Sequence, residues 1–195
     1  MITVRQIERH WEAKAYDRLY AELIANRPEA SLRLGIDVVR PVPAAALAVI
    51  RLDELAQSHA KLYPRLIKII LCAQEADGGW GDLVTTALCL RALLCGDGNG
   101  IAIDRGMSYL AGLQKSEGIW PNIPIRRMPA DPYVSALVLY QLAEHARFRQ
   151  AVRLENAVRW FNAHDSWVGD EVRELWQRAR TRGRLSAGQR VLSMS

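Results

Sequence analysis

The strongest constraint on this fold is a short motif that occurs twice, 40 residues apart. Residues 74–80 and 114–120 both read QxxxGxW, with Gly78 and Gly118 at the glycine position. A glycine permits a tight turn at a helix end, and a tryptophan packs a large apolar surface. Repetition at this period predicts stacked helical hairpins that bury their apolar faces against one another.

The segments that follow the motif also match each other. Residues 86–93 (TALCLRAL) align with residues 135–142 (SALVLYQL), and a similar apolar stretch occupies residues 45–52. We expect a weaker third copy of the motif at residues 162–167, with Trp167 as its tryptophan.

Apolar residues recur at helical spacing along almost the whole chain, and almost no segment alternates as a strand would. The first stripe runs from Ile7 to Leu23. The sequence therefore predicts an all-α fold with about eight helices. The first has about 20 residues and ends before Pro28; the others lie at residues 43–56, 63–74, 83–94, 104–114, 132–146, 148–163 and 169–180.

The second copy of the motif has an upstream extension, in which Arg105, Gly106, Tyr109 and Leu110 precede Gln114. A basic, a small, an aromatic and an aliphatic residue before QxxxGxW resemble the QW motif of the terpenoid cyclase and protein prenyltransferase superfamily, squalene–hopene cyclases in particular. The first copy keeps a basic residue but has Leu and Ile at the small and aromatic positions. The resemblance covers about residues 40–165 and implies a structural role for Gln74, Gly78, Trp80, Arg105, Gly106, Tyr109, Gln114, Gly118 and Trp120.

The resemblance implies an α/α toroid-like array of hairpins. Because a closed barrel of that family needs more than eight helices, we expect an incomplete or short barrel. We divide the chain into an N-terminal helical cap (1–39), a repeat domain (40–177) and a basic, flexible tail (178–195). An open arc would expose apolar faces, so we also expect a homodimer or a heteromeric partner protein.

Catalytic motifs of the superfamily are missing. The DxDD motif of protonating cyclases corresponds to Asp131, but prolines at 129 and 132 replace the other two acids. Asp131 is therefore a candidate catalytic acid by resemblance, although an Asp-Pro pair at a helix start is more typical of an N-cap. DDxxD is absent, and no metal or cofactor is expected. Enzymatic activity stays open; if present, it would be that of a terpenoid cyclase-like isomerase or lyase.

Two functions remain open from the sequence. In the first, the protein binds an apolar isoprenoid-type ligand or acts as part of a split or accessory cyclase, with a site lined by Tyr133, Tyr140, Leu137 and Cys89. In the second, it is a non-catalytic helical-repeat module that binds protein. The resemblance favours the first function, and the missing acids favour the second.

The net charge of +5 is confined to one end of the chain. Residues 147–195 contain ten arginines and five acids, whereas basic and acidic residues balance in residues 1–146. We therefore expect no nucleic-acid partner, and the Arg-rich tail is a candidate for contact with an anionic membrane. Three cysteines without CxxC spacing are typical of a reduced, cytoplasmic protein, membrane-peripheral if the tail makes that contact.

Overall fold

The structure is a computed structural model that describes residues 2–25, 27, 41–96 and 100–185. These residues form ten helices and no strand; Pro121 and Ala130 make an isolated bridge. The all-α prediction is confirmed. The helices are α1 (Val4–Glu12), α2 (Tyr16–Ile24), α3 (Pro41–Glu54), α4 (Leu62–Cys72), α5 (Leu83–Cys95), α6 (Gly100–Leu113), α7 (Pro132–Leu142), α8 (Ala146–Ala151), α9 (Leu154–Ala163) and α10 (Asp170–Gly183).

Two predicted helices are each divided in the structure, which raises the number from eight to ten. The first breaks at Lys14, whose φ of 54° is left-handed. There the N–H of Ala15 donates to the carbonyl of His10 in a helix-terminating turn. The second breaks before α9, where the N–H of Arg153 donates to the side chain of Gln114 at 2.7 Å. Apolar spacing continues through both breaks and therefore does not reveal them.

The chain divides into two compact units, Met1–Gly106 and Met107–Ser195. In the first unit, α3 packs against α2, α4 and α5. Residues 44–50 of α3 and 83–93 of α5 are buried on all sides. A helix that is apolar all round belongs in a protein interior, so these two helices form the core of the unit.

In the second unit, α7 packs along α10. Aromatic pairs add to this core: Trp120 stacks on Phe148 with ring centroids 6.2 Å apart, and Phe161 stacks on Trp176 at 4.7 Å. No described helix combines the length and apolar character needed to cross a membrane.

The expected domain limits at 39/40 and 177/178 stay predictions. Residues 28–40 lie outside the described residues, as do residues 186–195 of the expected tail. Residues 178–183 of that tail belong to α10, which runs to Gly183.

Candidate functional site

Both copies of the motif form turns with matching glutamine hydrogen bonds; we name residues 74–80 the first turn and residues 114–120 the second turn. In the first turn, Gln74 Nε2 donates to the carbonyls of Gly78 (2.9 Å) and Ala102 (2.8 Å). In the second, Gln114 Nε2 donates to the carbonyl of Gly118 at 2.8 Å, and its Oε1 accepts from the N–H of Arg153 at 2.7 Å. Each glutamine thus ties its own turn to the start of a later helix, α6 or α9.

The two tryptophans are also held in the same way. The indole N–H of Trp80 donates to the carbonyl of Ile70 at 2.7 Å, and that of Trp120 to the carbonyl of Leu110 at 2.8 Å. Both acceptors lie ten residues earlier, near the end of the preceding helix. Each of these carbonyls also accepts a backbone N–H, of Ala73 or Gln114, so each indole adds a second hydrogen bond to the last turn of the helix.

The backbone N–H of each tryptophan reaches the hydroxyl that opens the next apolar helix. The N–H of Trp80 donates to Thr86 Oγ1 at 2.9 Å, and that of Trp120 to Ser135 Oγ at 2.8 Å. Thr86 and Ser135 are the first residues of the aligned segments in the sequence. The sequence repeat is therefore also a repeat of hydrogen bonds.

Glycine is required in both turns by the backbone and by the available space. Gly78 and Gly118 have φ of +97° and +91°, a region that L side chains rarely adopt. A Cβ on Gly78 would lie 2.6 Å from the carbonyl oxygen of Arg105, and one on Gly118 would lie 2.2 Å from the nitrogen of Ala157. Each turn therefore packs directly on the backbone of a later helix.

Arg105 and Gly106, predicted as structural residues of the second copy, make their contacts with the first. The guanidinium of Arg105 donates to the carbonyls of Glu75 and Ala76 at 2.9 and 3.0 Å. A Cβ on Gly106 would lie 3.0 Å from the ring of Trp80. The upstream part of one copy therefore covers the turn of the copy before it, while Tyr109 is half-buried on α6.

The contacts of the second turn define the register of the third copy. Asn156 Nδ2 donates to the carbonyl of Ser116 at 2.8 Å, as Arg105 does to the corresponding carbonyl in the first turn. With Asn156 at the place of Arg105, Asp165 takes the place of the motif glutamine and Glu171 that of the tryptophan. The sequence register, which used Trp167, is wrong: Trp167 is 86% exposed, whereas Trp80 and Trp120 are buried.

Residues 165–171, which we name the third turn, lack the tertiary hydrogen bonds of the other two. Asp165 Oδ1 is buried without a hydrogen-bond partner among the described residues. Arg173 donates to the carbonyls of Asp165 (3.0 Å) and Val168 (3.1 Å). Within the described part of the chain, no group donates to the carbonyls of Ser166 and Trp167.

Asp131, the candidate acid, is the N-cap of α7. Its Oδ1 accepts from the N–H of Val134 at 3.0 Å. Asp82 accepts from the N–H of Thr85 at 2.8 Å in the same way at the start of α5. Asp131 and Asp82 are therefore equivalent N-caps in the two copies of the repeat.

The four residues predicted to line a ligand site fall into two groups. Cys89 on α5 and Leu137 on α7 are fully buried, and burial raises the pKa of the Cys89 thiol well above its usual value. Tyr133 and Tyr140 on α7 are half-buried. The guanidinium carbon of Arg182 lies 5.3 Å from the centroid of the Tyr140 ring, a cation–π contact.

Sequence reasoning missed a charged cluster at the ends of α3 and α5. Glu54 pairs with Arg27 at 2.5 Å, Arg51 at 3.2 Å and Arg91 at 3.3 Å. The three arginine side chains are only 14%, 13% and 6% exposed. The available signal was the interruption of the apolar runs at 44–52 and 86–94 by one arginine each.

Two weakly acidic groups lie at the same end of these helices. Burial and the nearby Asp53 carboxylate raise the pKa of the Cys95 thiol to about 12. Burial, with a smaller effect of Cys95, raises the pKa of Tyr63 to about 12. Neither group ionises near neutral pH, so the cluster joins structural elements and supplies no general base there.

The described residues contain no group of three or more His, Cys, Asp or Glu side chains that could hold a metal ion. The described features are a repeated structural turn, a partly buried charged cluster and a turn with an exposed tryptophan. Comparisons with protein-family models, curated proteins and solved structures find no match to this chain.

Proposed function

We propose that this chain is a terpenoid-cyclase-like helical-repeat protein that binds a protein partner and does not catalyse a reaction. The observation that carries the proposal is the use of Asp131 as an N-cap. A catalytic acid of this type must be held protonated in an apolar cavity beside a reacting alkene. Asp131 instead caps a helix: its Oδ1 accepts the backbone N–H of Val134, as the side chain of Asp82 accepts that of Thr85.

The repeated turns support a toroid-like arrangement, an incomplete or short barrel. The first turn follows α4 and packs on the start of α6; the second follows α6 and packs on the start of α9. In this proposal α4, α6 and α9 are successive outer helices of stacked hairpins. The apolar α3, α5 and α7 are the inner ones.

An isoprenoid-type ligand, or a role in a split or accessory cyclase, is the second candidate. Half-buried Tyr133 and Tyr140 favour it, because aromatic rings stabilise carbocations. Complete burial of Leu137 and Cys89 favours the protein-binding function, because these side chains have no surface left for a ligand. Either function is compatible with a cytoplasmic location and with membrane contact through the arginines of the tail.

The test compares wild-type protein with Asp131→Asn, and uses Asp82→Asn as the matched control. Asn is an N-cap as good as Asp, so both variants should keep the stability of the wild type. We expect solvent extraction and native mass spectrometry to find no isoprenoid, and incubation with squalene to give no cyclised product. A product formed by wild type and Asp82→Asn but lost in Asp131→Asn would overturn the proposal.

A further inference from the structure

The first two turns are each covered by the start of a later outer helix. Arg105 of α6 donates to two carbonyls of the first turn. Arg153 and Asn156, at the start of α9, donate to the carbonyls of residues 114–116 in the second turn. In both cases an arginine of the later helix or its N-cap donates to turn carbonyls. Those of Glu75 and Lys115 also accept the N–H of their own turn's glycine.

The third turn offers the same kind of surface without its cover. The carbonyls of Ser166 and Trp167 correspond to those of the first and second turns that receive Arg105 and Asn156, and no described residue donates to them. The Trp167 ring is 86% exposed beside them. A tryptophan this exposed, next to open backbone acceptors, has the composition of an interface hot spot.

The start of α4 matches what the third turn lacks. Arg65 has the motif position of Arg105, nine residues before the motif glutamine, and is exposed. Lys61 and Lys68 are also exposed on this helix. Four acids lie in or next to the third turn: Asp165, Asp170, Glu171 and Glu174. Arg173 and Arg178 partly offset their charge. The two surfaces therefore carry opposite charge.

We propose that the third turn of one protomer receives the start of α4 from a second copy of this chain. Arg65 of that copy donates to the carbonyls of Ser166 and Trp167, as Arg105 does within the chain to Glu75 and Ala76. The methylene stem of the incoming Arg65 side chain covers the Trp167 ring. The contact joins two different surfaces and is therefore heterologous. The proposal rests on the proposed function in that it names the protein partner.

The first experiment measures molar mass by sedimentation velocity from about 1 to 200 μM, a range that covers micromolar self-association. Wild type should exceed its monomer mass of 21.9 kDa as concentration rises. Trp167→Ala and Arg65→Glu should each weaken association at least about tenfold. Arg127→Glu makes the same charge change on an exposed loop and should associate as wild type does.

The second experiment mixes the two variants, because a heterologous contact needs only one intact surface from each chain. Trp167→Ala keeps its α4 start and Arg65→Glu keeps its third turn, so the equimolar mixture should associate more strongly than either variant alone. Wild type that stays monomeric, variants that associate like wild type, or a mixture as weak as its components would each overturn the proposal. Both substitutions are at exposed positions, and circular dichroism verifies the fold.

An extracted isoprenoid would contradict the proposed function without changing these masses.

Discussion

The second turn follows α6 and the third turn follows α9, yet their tertiary contacts differ. Gln114 is buried; its Nε2 donates to Gly118 of its own turn, and its Oε1 accepts the N–H of Arg153 at the start of α9. Asp165 stands in the corresponding place with a half-exposed side chain and one buried oxygen that accepts no hydrogen bond within the described residues. Trp120 is buried, whereas its counterpart Glu171 is exposed.

The difference shows why this turn needs an amide and a tryptophan. An amide both donates and accepts, whereas a carboxylate only accepts. Asp165 therefore cannot donate to the turn and helix carbonyls as Gln114 does. Glu171 cannot supply the indole N–H that pairs with a carbonyl at the end of the preceding helix. Arg173 takes over part of the task by donating to two carbonyls of the third turn.

Replacing the tryptophans should give the largest contrast. Trp120→Ala should lower the free energy of unfolding by about 3–5 kcal/mol, because it removes a large buried side chain and the indole hydrogen bond to the carbonyl of Leu110. Trp167→Ala should change it by less than about 0.5 kcal/mol, since the ring is exposed. Urea unfolding of both variants at a concentration where the protein is monomeric measures this. Similar losses in the two variants would contradict the assigned register.

The glycines should give the next largest contrast. Gly118→Ala should cost about 3 kcal/mol, because the new Cβ would enter the backbone of α9 at a positive φ. Gly169 occupies the same place in the third turn, has φ of −62° and has no atom within 4 Å of a Cβ. Gly169→Ala should therefore cost less than about 1 kcal/mol. A stable Gly118→Ala variant with an unchanged urea midpoint would show that the second turn is not closed as described.

Two glutamates near helix ends also differ in their surroundings: Glu54 is the last residue of α3, and Glu144 follows α7. Glu54 pairs with three nearly buried arginines, whereas Glu144 pairs with Arg182, whose side chain is 24% exposed, and lies 3.6 Å from His145 Nε2. Glu54→Gln should cost about 2 kcal/mol, less than the cost of breaking a fully buried pair because Glu54 is itself 33% exposed. Glu144→Gln should cost less than about 1 kcal/mol. Thermal unfolding of the two variants measures the difference. Equal losses of stability in both would contradict this prediction.

Alkaline pH should produce the smallest effect, and part of it should arise from two groups at the α3–α5 end. Tyr63 and Cys95 have folded pKa values raised to about 12, so above about pH 9 the unfolded chain releases their protons before the folded protein does. Unfolding is thereby favoured, and stability should fall as pH rises toward 12. In Tyr63→Phe, the melting temperature should fall less steeply with pH between pH 9 and 11 than it does in wild type. Parallel curves for variant and wild type would contradict the raised pKa.

The sequence predicted the parts of the fold that local spacing encodes. Gln, Gly and Trp at fixed intervals identified two turns, and the following Thr and Ser marked matching helix starts. The break at Lys14 could not be predicted, because apolar residues keep helical spacing on both sides of it. The Glu54 cluster could not be predicted either, because Arg27 and Arg91 lie 27 and 37 residues away from Glu54.

The same limit applies to the candidate site. Asp131 was interpretable as an N-cap because Pro132 follows it, and this is where the structure has it. The register of the third turn was hidden, because Asp165 and Glu171 replaced the two residues that identify the motif. Only the contacts of Asn156 and Gly118 with neighbouring backbone revealed it.

The spacing of the turn's hydrogen bonds has a consequence for the order in which the chain can fold. The indole of Trp120 reaches ten residues back, and its backbone N–H pairs 15 residues ahead with Ser135. Gln114 must wait for Arg153, 39 residues ahead. Because short loops close sooner than long ones, the tryptophan contacts can form first and hold the turn in shape. The glutamine hydrogen bonds form later, when the next hairpin packs against the turn.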